Sequence, residues 1–97
     1  MESNIDNIKI LPETIRKNGY TYVLLRRTTE KALYAQYHRN VLIAFETFKI
    51  KVQQSRFSTL LHTIQPPCER FPGNEDFGRT AWTITEYQKA VEKYNEL

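Results

Sequence analysis

The run Tyr20-Thr21-Tyr22-Val23-Leu24-Leu25-Arg26-Arg27 is followed by Ala32-Leu33-Tyr34-Ala35-Gln36-Tyr37-His38-Arg39 and then by a longer run from Val41 to Lys51. All three are rich in β-branched and aromatic residues, which pack well on a pleated surface. Thr28-Thr29-Glu30-Lys31 joins the first two at hairpin length, and Asn40 alone separates the second from the third. Connections this short make antiparallel neighbours, so the spacing predicts an antiparallel meander of three strands, with a fourth as the upper bound. The third run contains a conflict of phase. Val41, Ile43 and Phe45 alternate onto one face, whereas Phe48 and Ile50 fall on the other. One extra residue near Glu46-Thr47 would bring Phe48 and Ile50 back to the face of Phe45, as a β-bulge does. The alternative is a central strand buried on both faces, which a 97-residue chain has little material to cover. The bulge is the expectation.

Outward from the meander, Leu11-Pro12-Glu13-Thr14-Ile15-Arg16-Lys17-Asn18-Gly19 reads as one or two helical turns. Proline suits the first helical position, Glu13 suits the positive end, and Asn18-Gly19 offers the left-handed stop. Residues 53–80 read as an irregular connector or binding loop, broken by Pro66-Pro67, Pro72-Gly73 and Gly78. Thr83-Ile84-Thr85-Glu86 has the spacing of a capping box, with Trp82 and Tyr87 placed as a hydrophobic staple. Ile84, Tyr87, Val91 and Tyr94 then follow the stripe of a C-terminal helix lying on the sheet. The expected fold is one α+β domain over residues 1–97, with residues 1–10 a loose start.

Composition bounds the function. Apolar residues are 40% and charged residues 26%, ordinary for a globular chain. No apolar run reaches the roughly 20 residues that cross a bilayer, so no membrane role is expected. The start, Met1-Glu2-Ser3-Asn4, lacks the basic and apolar regions of a secretory signal, and the single Cys68 cannot form an internal disulfide. Both point to a cytoplasmic setting. The net charge of +3 is uneven. Residues 1–57 hold ten basic against five acidic side chains, a net of +5, and residues 58–97 hold four against six, a net of −2. Such asymmetry suits a nucleic-acid or acidic partner, or else a solvated sheet face.

Catalytic chemistry finds little support in these residues. His38, His62 and Cys68 form no CxxC, HxxxH or HExxH pair, too few for a structural zinc. Cys68 has no base beside it, Glu75-Asp76 are merely adjacent, and three dispersed glycines make no phosphate loop. No enzyme activity and no cofactor are expected.

Two sets of residues stand out as binding candidates. In the loop Phe71-Pro72-Gly73-Asn74-Glu75-Asp76-Phe77-Gly78-Arg79, the residues Phe71, Asn74, Glu75, Asp76, Phe77 and Arg79 combine aromatic and charged groups on a turn. They read as a recognition loop for a protein partner, or as an ordered connector whose rings complete the core. The second set is Tyr20, Tyr22, Arg26, Arg27, Arg39, Lys49 and Lys51 on the strands. Rings among cations on an open sheet stack bases and hold phosphates; alternatively the tyrosines line the core edge.

The predicted helix–strand–strand–strand–helix order resembles a double-stranded-RNA-binding domain in topology. The short first helix, and a last helix with no lysine before Lys89, depart from that family. A second resemblance covers most of residues 11–90. Leu11-Pro12 to Arg26 around Asn18-Gly19-Tyr20-Thr21-Tyr22, then Phe45-Glu46-Thr47-Phe48-Lys49-Ile50, and Phe71 to Gly78 followed by Ala81-Trp82, are similar to a set of small phage or mobile-element proteins. That resemblance implies an accessory product acting inside a bacterial host, and it assigns no functional residues. The leading expectation is a non-enzymatic protein that binds a host or phage protein through the loop 71–81 and the neighbouring sheet edge. Nucleic-acid binding is the first alternative. Self-assembly through an exposed sheet edge is the second, since a short sheet leaves two edges to protect.

Overall fold

The computed structural model describes residues 8–60 and 62–97. The expected loose start falls largely outside that range. Of its last residues, Lys9 is tied down: its N–H donates to the Pro67 carbonyl at 3.0 Å, and its carbonyl accepts from the Glu69 N–H at 2.8 Å.

Five strands form one antiparallel sheet: β1 (Thr14–Lys17), β2 (Tyr20–Arg27), β3 (Lys31–His38), β4 (Val41–Lys49) and β9 (Ala81–Ile84), in that spatial order. The meander is present, extended by one strand on each side. The one α-helix among the described residues, α1 (Tyr87–Glu96), follows β9. The α+β class and the antiparallel sheet therefore agree with the sequence, but among the described residues there is no N-terminal helix. Thr14–Lys17 is a strand paired with β2, with Lys17 opposite Tyr20. Asn18 and Gly19 both take left-handed φ, 55° and 85°, and so form a two-residue hairpin turn rather than a helix stop. Asn-Gly supports a tight hairpin as readily as a helix end, and the apolar side chain of Ile15 packs on the sheet core. The likeness to a double-stranded-RNA-binding domain goes with the helix.

Strand β4 also departs from expectation. The extra residue is Ile43, because Gln36 pairs with Ala44 while Tyr37 pairs with Leu42. Beyond it Phe45 to Lys49 run in regular register, so Phe45 and Phe48 stay on opposite faces. The strand is buried on both sides after all. On one face Leu33, Ala35 and Phe45 pack against Ala90 and Tyr94 of α1. On the other, Tyr22, Tyr34 and Phe48 meet Leu11, Phe71 and Phe77 from segments outside the sheet. The second cover is thus supplied by irregular chain, which hydrophobic periodicity does not reveal.

The capping box and staple are not formed either. Thr83 lies in β9 opposite Glu46, and its hydroxyl donates to Glu46 Oε2 at 3.3 Å. Trp82 instead receives the Lys93 ammonium 4.2 Å from its ring centroid. The ladder to β4 holds residues 81–84 extended, so the helix starts at Tyr87 with Glu86 as an N-cap that makes no side-chain bond. At its far end Lys31 Nζ donates to the Tyr94 carbonyl at 2.9 Å, the favoured place for a cation at a helix C-terminus.

Residues 51–70, expected to be irregular over most of their length, form an arm. β5 (Lys51–Gln53) pairs with β8 (Cys68–Arg70), and β6 (Arg56–Ser58) pairs with β7 (Thr63–Gln65). The arm leaves from the end of β4 and is anchored at its base. Arg27 donates two bonds of 2.7 Å to the Glu69 carboxylate, and Glu69 Oε1 also accepts from the Leu11 N–H at 2.9 Å.

Candidate interaction surfaces

The loop 71–81 is a folded connector. Phe71 sits among Tyr22, Tyr34 and Phe48, with ring centroids 4.8, 5.6 and 5.3 Å away. Phe77 packs on the same cluster. Asn74–Asp76 make one 3-10 turn, closed by Asp76 Oδ2 accepting from the Gly73 N–H at 2.9 Å. Asp76 Oδ1 also takes Lys51 Nζ at 2.7 Å, and these two bonds hold its carboxyl below the ordinary value. Asn74, Glu75 and Arg79 are the exposed members of the expected recognition set.

The basic, tyrosine-bearing set is divided. Tyr22 is buried, its hydroxyl accepting from Gln36 Nε2 at 3.2 Å, and burial pushes it up to about 12. Arg27 and Lys51 are held in the ion pairs with Glu69 and Asp76. Arg26 and Lys49 are exposed near the end of the sheet where the arm begins. Tyr20 and Arg39 lie at the opposite end, beside the hairpin turns. No shared platform brings the seven together.

A buried polar cluster lies under the loop. Glu46 is 5% exposed, and its Oε1 has no partner among the described residues. Desolvation raises its pKa above the ordinary carboxyl value, opposed by the Thr83 hydroxyl and the charge of Lys17. A carboxyl in this setting favours its neutral form. Among the described residues, no three His, Cys, Asp or Glu side chains converge as metal ligands would. His38 ends β3, Cys68 is in the arm base, and His62 is in the arm turn.

The largest apolar exposure is elsewhere. At the arm tip Phe57, Leu60 and Ile64 are 58%, 87% and 69% exposed and belong to neither core cluster. Phe57 and Ile64 are directly paired, so both project from one face of the ribbon. A second patch lies at the start of β4, where Val41, Leu42 and Ile43 are between 41 and 60% exposed. Strand β9 pairs only with Phe45–Phe48, so among the described residues no strand lies beside the outer edge of residues 41–44. The two patches sit at opposite ends of β4 in a molecule measuring 43 × 28 × 24 Å. The reading of residues 53–80 as irregular concealed the arm. Its signal was the pair of short β-prone pieces Arg56-Phe57-Ser58 and Thr63-Ile64-Gln65, spaced for a hairpin. No helix among the described residues is long and apolar enough to cross a membrane.

No family model, curated protein or solved structure matches this chain.

Proposed function

We propose that this chain is a non-enzymatic self-assembling protein in which the arm tip of one copy packs on the open β4 edge of the next. The observation that carries the reading is the coexistence of two exposed apolar patches on one chain, Phe57/Leu60/Ile64 and Val41/Leu42/Ile43. Apolar exposure clustered along the chain in this way marks an association surface. Lying at opposite ends of β4, the patches cannot cover each other within one molecule, so a second copy is the occupant that satisfies both. A strand edge with free N–H and C=O groups accepts an added strand, and a two-stranded ribbon has free edges to offer. Contact between two different patches is heterologous, and repeats into a ring or an open filament. Engagement of another protein through the loop 71–81 would rest on Asn74, Glu75 and Arg79, which present no apolar anchor.

Sedimentation velocity over a concentration series tests the proposal. The wild-type coefficient is expected to rise with concentration, while Leu60→Asp, altered at a side chain that is 87% exposed, stays at the monomer value with unchanged melting. A wild-type protein that is monomeric up to roughly millimolar concentration, about the weakest affinity counted as specific association, overturns it.

A further inference from the structure

The turns at Asn18-Gly19 and Arg39-Asn40 lie side by side, because β2 and β3 pair from Thr21 and Tyr37 onward. Between them is an open cleft of about 530 Å³ walled by Arg16, Lys17, Tyr20, Thr21, Arg39 and Asn40. Three cations line it and no carboxylate does. Two cations elsewhere are neutralised in short ion pairs, Arg27 by Glu69 and Lys51 by Asp76. Here, among the described residues, the Arg16 and Arg39 side chains make no ion pair or hydrogen bond. Lys17 Nζ lies 3.4 Å from the Pro72 carbonyl and 5.4 Å from the centre of the Phe71 ring, and its charge also acts on Glu46.

Arg39 is also held at a φ of 51°, a left-handed conformation unfavourable for a residue other than glycine, asparagine or aspartate. The turn thus places a guanidinium at the cleft mouth against local preference, a pattern associated with functional positions. Tyr20, its ring 5.2 Å from that of His38, supplies an aromatic wall beside the cations. Guanidinium groups suit phosphate, and a neighbouring ring suits a base.

We infer that this cleft binds the phosphate of a nucleotide, either free or within a single strand. The inference goes beyond the assembly reading and uses different residues. Its set shares Tyr20 and Arg39 with the one legible in the sequence, and adds Arg16 and Lys17, which the helical reading of residues 11–17 had set apart from the strands.

The test titrates a labelled oligothymidylate, and ATP, with the full chain at about 50 and 200 mM salt. The wild type is expected to bind at least one probe at the lower salt. The double variant Arg16→Ala/Arg39→Ala should bind at least about tenfold more weakly, because it loses the charge-assisted bonds to phosphate. The salt slope for the oligonucleotide should also fall by about 0.7 for each phosphate contact removed. Equal affinity for both probes identifies a free nucleotide, and binding of the oligonucleotide alone identifies a strand. No binding of either probe by the wild type at the lower salt, or equal binding by a double variant that melts normally, overturns the inference.

Discussion

Phe48→Ala should lower the stability of the fold by about 3–5 kcal/mol, the range for a phenylalanine removed from a close-packed core. Phe48 is fully buried, stacked on Tyr34 at 5.8 Å and meeting the edge of Phe71 at 5.3 Å. It lies on the face of β4 that no helix covers, so Leu11, Phe71 and Phe77 must close over it. A void there would loosen the connector 71–81 as well as the strand. For a domain of this size each kcal/mol shifts the midpoint by about 4–8 °C, so the melting temperature should fall by roughly 12–40 °C. Phe77→Ala, at a partly buried site on the rim of the same cluster, should cost clearly less. Equal losses for the two variants would mean that the core is not centred on Phe48.

Glu69→Ala should be the second severe change. Glu69 accepts both Arg27 bonds and the Leu11 N–H, and its side chain is 7% exposed. Its loss strands a guanidinium that is itself only 21% exposed and frees a buried-side backbone donor. Breaking a fully buried pair from one side costs about 3–5 kcal/mol, and partial exposure here brings the expected loss to roughly 2–4 kcal/mol. The bonds from Arg27, with the Leu11 N–H, hold the Glu69 pKa below its ordinary 4.5. A depressed carboxyl contributes its stability above the unfolded value and loses it as pH falls through the folded one. The wild-type advantage over Glu69→Ala should therefore be full at neutral pH and shrink progressively below pH 4.5. Denaturant unfolding of both proteins across that range measures it, and a difference independent of pH would remove the ion pair from the account.

The sequence was informative where one local signal had one meaning. Tyr20–Arg27 and the next two runs have strand composition and connections too short for anything but antiparallel pairing, and they form that sheet. Of the expected stripe, Tyr87, Val91 and Tyr94 lie on the helix, and Val91 and Tyr94 pack against the sheet, while Ile84 belongs to β9. Misreadings arose where one signal serves two structures. Asn18-Gly19 ends a helix or turns a hairpin, and Thr83-Ile84 opens a helix cap or completes an edge strand. In both places a tertiary partner decided the matter, β2 in the first and β4 in the second. The double burial of β4 was hidden for a related reason, since its second cover comes from Leu11 and Phe71, far apart in sequence and outside the sheet. The expected loop residues were identified as distinctive, but Phe71, Asp76 and Phe77 owe that distinctiveness to closing the fold. The exposed patches were harder to see. Phe57, Leu60 and Ile64 look like core residues in a sequence, and only the placement of the arm leaves them uncovered.

The head-to-tail contact is tested most directly by mixing two variants that each lack one half of it. Leu60→Asp removes the arm tip and keeps the β4 edge; Leu42→Asp, at a side chain 47% exposed, removes the edge and keeps the arm. Each alone should sediment as a monomer at concentrations where the wild type assembles. Mixed in equal amounts, the intact arm of one should dock on the intact edge of the other and stop there, giving a species of two chains and none larger. A mixture that remains monomeric while the wild type assembles would contradict the arm-on-edge contact.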